Sequence, residues 1–116
     1  FALPPAAANE ALAMARRVVA GEAAWAWSEQ LLTDWGNEVE VWHDGELLRL
    51  DRLVRRRDSG DWWVLDFKSA DRPEQQAVLR EQMARYHRAL QVARPGHTVR
   101  LAFINATGRL IELDTP

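Results

Sequence analysis

Apolar residues along this chain switch between helical and alternating spacing, and each switch marks an expected element. Over 8–21, ANEALAMARRVVAG, the spacing is helical, with Asn9 placed to cap the start and Gly21 to end it. EAAWAWSEQLLTDW, residues 22–35, predicts a second short helical piece that stops before Gly36-Asn37. From Glu38 the pattern alternates: EVEVWHDGELLRLDRLVRR reads as two strands joined at Asp44-Gly45, a strong hairpin signal. RRDSGD (56–61) marks another turn into the apolar strand WWVLDF (62–67), so three successive antiparallel strands are expected. After Pro73 helical spacing returns through PEQQAVLREQMARYHRALQVA, with Val78, Leu79, Met83, Tyr86 and Leu90 on one inward stripe. HTVRLAFINA then reads as a strand, Thr107-Gly108 as a turn and RLIEL as a closing strand. The order predicts one α/β (α+β) domain over residues 1–116, a mixed sheet with an antiparallel three-strand meander flanked by helices.

Composition narrows the class. At 47% hydrophobic and 28% charged residues the chain matches ordinary globular domains, and no apolar run approaches the roughly 20 residues that span a bilayer, so no membrane partner is expected. The chain opens at Phe1 without a basic, apolar leader pattern, which reads as a trimmed piece of a longer protein. With no cysteine, disulfides and thiolate metal sites are excluded and a cytoplasmic setting is the expectation. The net charge of −2 argues against a general polyanion binder, yet it is uneven. Residues 1–48 carry Arg16 and Arg17 against eight acids, whereas 49–116 carry thirteen bases against nine acids. Of the fifteen basic residues fourteen are arginine, and the single lysine is Lys68. A position that needs a compact, deprotonatable ammonium cannot accept arginine.

Lys68 sits two residues after Asp66, so strand alternation sends both to one face. Asp51 lies on the preceding strand, and pairing across the 56–61 turn would bring it beside Asp66. Gln82 and Tyr86, four apart, share a face of the next helix. Taken singly these are unremarkable: Asp51 with Arg52, or Asp66 with Lys68, could be surface ion pairs worth ~0–1 kcal/mol. Tyr86 could be a core aromatic and Gln82 an exposed helix former. Jointly, LRLDRLV, WWVLDFKSA and EQMARYHRAL resemble the PD-(D/E)XK nuclease superfamily. The likeness is closest to the RecB/AddA-type C-terminal nuclease domain of UvrD-class helicase–nucleases, and it runs from about Glu38 to the end of the chain.

The resemblance implies a restriction-endonuclease-like core and a Mg²⁺- or Mn²⁺-dependent deoxyribonuclease acting as an exonuclease in double-strand break repair and recombination. Asp51, Asp66 and the Phe67 backbone carbonyl would be its hard oxygen ligands. Lys68 would orient or deprotonate the attacking water and offset transition-state charge. Gln82 and Tyr86 would steady the site or touch the DNA backbone, and Glu38 or Glu40 is a weaker candidate for an outer acid. The partners implied are single-stranded DNA, helicase domains of the same parent chain and a second subunit. Two departures stand out: the family's upstream metal-binding histidine has no counterpart, since no histidine precedes His43, and Leu48 replaces a usual glycine. A fragment lacking its histidine helix would account for the first, and such an isolated piece could be inactive. A nuclease-like module that binds DNA or assembles without catalysis is the alternative, and a stand-alone resolvase or restriction-like enzyme is a third. His43, His87 and His97 are expected at surfaces or turns. Trp42 and Trp62 are expected between sheet and helix, with Trp25, Trp27 and Trp35 over the sheet edge. Aromatic stacking on bases is the less favoured use of these tryptophans.

Overall fold

The computed structural model describes residues 12, 13, 16, 17 and 20–115. Five strands form one mixed sheet in sequential order: β1 (Leu32–His43), β2 (Glu46–Arg56), β3 (Trp62–Phe67), β4 (Val99–Ile104) and β5 (Leu110–Leu113). Neighbours are antiparallel except β3 and β4, which run parallel because helix α1 (Ala77–Ala93) carries the chain back across the sheet. The fold is α+β, and the antiparallel meander β1–β2–β3 is present as the alternation predicts. No helix among the described residues is long and apolar enough to cross a membrane.

Strand β3 is central, and its first five residues are all buried, so its unbroken apolar run reflects packing on both faces. On one face α1 covers Leu50, Leu53, Trp62, Val64 and Phe103 with Met83, Tyr86, Ala89 and Leu90. The other face gathers Ala23, Ala26, Leu32, Val54, Trp63, Leu65 and Ile104, with Trp25 and Trp27 packed on them.

The expected helix over 8–21 lies largely outside the described residues; residues 12, 13, 16, 17 and 20 are helical. The expected helical piece over 22–35 is corrected. Only Ala24–Trp27 forms a 3₁₀ turn, and β1 already starts at Leu32. Tertiary contacts override the helix-forming alanines and leucines there. Arg52, buried on β2, donates Nε (3.0 Å) and Nη2 (2.8 Å) to the Ala26 carbonyl, lies over the Trp27 ring, and ties the turn to the sheet. Leu32–Trp35 are meanwhile drawn into pairing with Val54–Arg56.

Side-chain placement differs from expectation at several positions. Trp42 is 72% exposed at the hairpin end and does not pack under α1, whereas Trp62 does. Trp25 and Trp27 cover the second sheet face instead of its edge, and Trp35 is half exposed on β1. Val78 leaves the inward stripe of α1 because it lies on the flank of the helix, about 100° around from Leu79; Ala89 and His87 are buried in its stead. His87 is therefore no surface residue, and burial pushes its imidazole toward the neutral form.

Asn105, fully buried just past β4, fastens the segment that follows β3 to the β4–β5 turn. Its Nδ2 donates to the Asp71 carbonyl (2.9 Å), and its Oδ1 accepts from the Thr107 and Arg109 amides and the Thr107 hydroxyl. Truncation to alanine leaves these groups unpaired in a closed interior. Asn105→Ala is expected to destabilise the fold by about 2–4 kcal/mol, read as a lowered urea midpoint at unchanged m-value.

Candidate active site

The β2–β3 ladder runs from Arg55↔Trp62 to Arg52↔Leu65 and then stops. The next opposed pair would be Asp51 and Asp66. There the strands part, and the Phe67 N–H donates to Asp51 Oδ2 at 2.9 Å in place of a backbone carbonyl. The Lys68 N–H turns the other way, to the Ile104 carbonyl of β4 (3.0 Å). By strand alternation the Phe67 carbonyl then turns with its own N–H toward the gap beside Asp51.

A matching irregularity crosses β1. Its register with β2 skips the Glu38/Asp51 position, and Glu38 adopts φ 49°, a conformation rare for a side-chain-bearing residue. Across this point β2 exchanges its faces. Leu48 and Leu50 pack on the α1 side, yet so does Leu53, while Arg52 reaches Ala26 on the opposite side. Simple alternation from Leu50 would turn Asp51 away from α1. The local inversion brings it to the α1 face beside Asp66, a use of strand irregularity common next to functional sites.

Asp66 is 2% exposed, and its Oδ2 lies 2.8 Å from Lys68 Nζ. That contact is a close charge pair but misaligned for a hydrogen bond, so Oδ2 is a buried acceptor without an aligned donor. Burial, then the hydrogen-bonded Asp51 carboxyl, push the Asp66 pKa up to about 6 against the opposing pull of Lys68. Burial alone would lower the Lys68 ammonium, but the close contact and charge of Asp66, with the charge of Asp51, overcome it and raise its pKa. Tyr86 is raised by burial and by the same two acids, and its hydroxyl accepts from Gln82 Nε2 at 2.8 Å. Asp51, Asp66, Lys68, Tyr86 and Gln82 thus form one connected group where β3 ends, over the first turns of α1.

Of the two ion-pair readings, Asp51 with Arg52 does not form, since Arg52 bonds Ala26 and Asn37 (2.7 Å) on the far side, whereas Asp66 and Lys68 do pair (2.8 Å), with Asp66 buried and not at the surface. Glu40 faces solvent in a 3.5 Å pair with Arg49, and Glu38 is exposed on β1 opposite Asp51. Leu48, where the resemblance led one to expect glycine, fills the α1-side core. Asn105 carried no signal in the sequence beyond being a polar residue after an apolar run, and Arg52 was marked only as the neighbour of Asp51, not as the clamp on the Ala24–Trp27 turn. Arg85, one turn beyond Gln82, lines a groove with Lys68 and was likewise not singled out.

No protein-family model matches this chain, and no curated protein sequence matches it either.

Two carboxylates and a carbonyl facing one gap, with one carboxylate oxygen lacking an aligned donor, suit a hard divalent cation that keeps several waters. Among the described residues no third carboxylate, imidazole or thiol joins them. The donors fit such an ion loosely, with positions left for water or substrate.

The electrostatics give a stability test. The folded chain holds the Asp66 proton up to about pH 6, whereas an unfolded aspartate releases it near 3.8, so the native state binds more protons in that window and loses stability as pH rises through it. Relative to Asp66→Asn, the metal-free protein is expected to lose about 1–3 kcal/mol between pH 4 and pH 7, measured by denaturant unfolding at each pH.

Proposed function

We propose that this domain has a restriction-endonuclease-like core and is a divalent-metal-dependent nuclease that hydrolyses DNA phosphodiester bonds. Its place would be in an AddA/RecB-like helicase–nuclease that processes double-strand breaks in the cytoplasm. The observation that carries the reading is the convergence of Asp51, Asp66, Lys68 and the Gln82–Tyr86 pair at the carboxyl end of the central strand.

Asp51, Asp66 and the Phe67 carbonyl would hold Mg²⁺ or Mn²⁺, which supplies water activation and neutralises phosphate charge when bound. The chain's own residues account for the rest. Lys68, paired with Asp66, would supply a fixed positive charge for the phosphate in the transition state. Its carboxylate partner holds it in place before substrate arrives, so little reorganisation is needed during reaction. Gln82 sets the Tyr86 hydroxyl, which keeps its own O–H free to donate toward the site or to a phosphate oxygen. The buried position of Asp66 lowers the local dielectric and strengthens each of these interactions.

A second reading, a nuclease-like module that binds DNA or a partner without catalysis, is favoured by the lack of a third ligand among the described residues. Metal binding separates the two. Titration calorimetry with Mn²⁺ should show binding that Asp66→Ala abolishes, and labelled single-stranded DNA should be cut in the presence of that metal. Asp51→Ala, Asp66→Ala and Lys68→Ala should each slow cleavage by roughly 100-fold or more. Equal cleavage by Asp66→Ala would exclude the hydrolase reading.

A further inference from the structure

We propose that the α1 face beside the acids is a track for a single-stranded DNA backbone. In it Arg85 takes the phosphate adjoining the one at Lys68 by giving up its contact with Glu46. This rests on the nuclease reading above and extends it to a residue outside the catalytic group.

A shallow groove of about 740 Å³ runs along the first turns of α1, lined by Lys68 and by helix residues that include Val78, Gln82 and Arg85. Gln82 and Arg85 are three residues apart, so their side chains leave the same face of the helix. Val78, 79% exposed on the groove, offers an apolar contact for a sugar or base edge.

Arg85 Nη1 lies 3.3 Å from Glu46 Oε1, and the two side chains are 44% and 59% exposed. So exposed a pair is weak, and a phosphate diester offers the guanidinium a better-matched pair of oxygens. Glu46 is the first residue of β2, at the hairpin end, so its carboxylate can swing away without disturbing the core. Glu81, an acid that lines the groove, is already turned toward Arg88 at 3.7 Å. Glu46 thus occupies Arg85 as a carboxylate stand-in for phosphate, and strand binding exchanges one for the other.

Fluorescence anisotropy of a labelled oligo-dT in EDTA reads binding without turnover. Arg85→Ala should weaken affinity about fivefold and reduce the salt slope by about 1, and Arg85→Lys should restore most of the slope. Glu46→Gln should tighten binding about twofold, the opposite sign, because the competing anion is gone. Unchanged affinity and slope in Arg85→Ala, or no tightening in Glu46→Gln, would overturn the proposal. If the wild-type chain never cuts with Mn²⁺ yet both binding effects appear, the nuclease reading fails and the track stands. Asp66-dependent cleavage with neither binding effect would mean the reverse.

Discussion

Two carboxylates and one ammonium share the enclosed end of β3, and much of the surrounding structure serves to keep them there. The β2–β3 ladder stops at Arg52↔Leu65, just before Asp51 and Asp66, so the Phe67 amide has no backbone acceptor on β2. Asp51 compensates for the opening by accepting the Phe67 amide itself, so one of the acids also replaces a lost ladder bond. The left-handed turn of Glu38 on β1 lies opposite this point, and the face exchange in β2 begins there. A strand irregularity, a misaligned buried oxygen and an elevated carboxyl pKa therefore have a common cause.

Such a group opposes folding. Burial favours the neutral acid, and one ammonium cannot fully offset two neighbouring carboxylates. The strain is tolerated because both faces of β3 are packed: Val64 and Phe103 lie under α1, while Leu65 and Ile104 lie under the tryptophan-bearing turn. Local polar frustration supported by a rigid apolar frame is characteristic of sites prepared for a charged ligand.

The flanking segments are held by buried polar side chains. Arg52 points away from the acids and clamps the Ala24–Trp27 turn, so adjacent residues of β2 have unrelated tasks on opposite faces. Asn105 links the segment after Lys68 to the β4–β5 turn with four hydrogen bonds. Both act by satisfying backbone groups that no strand or helix reaches, which is why each makes several bonds to main chain and few to other side chains.

Local patterning determined a large part of this protein. The Asp44-Gly45 hairpin, the turn before Trp62, the helix after Pro73 and the two closing strands are visible because turn chemistry and hydrophobic period are short-range properties of the chain. The alternation of Asp66 and Lys68 and the four-residue spacing of Gln82 and Tyr86 likewise assigned each pair a shared face. Other features were decided only in three dimensions. Residues 32–35 became strand because an edge of β2 was available to pair with, and Trp42 stayed exposed because it lies on the sheet face opposite the one where Val41 and Leu48 pack under α1. His87 was buried where α1 packs on the sheet, and Asp51 reached the α1 face through an inversion that alternation from Leu50 would not foresee. These outcomes depend on which backbone edges and apolar faces meet across long stretches of chain, and that competition is settled by the packed whole.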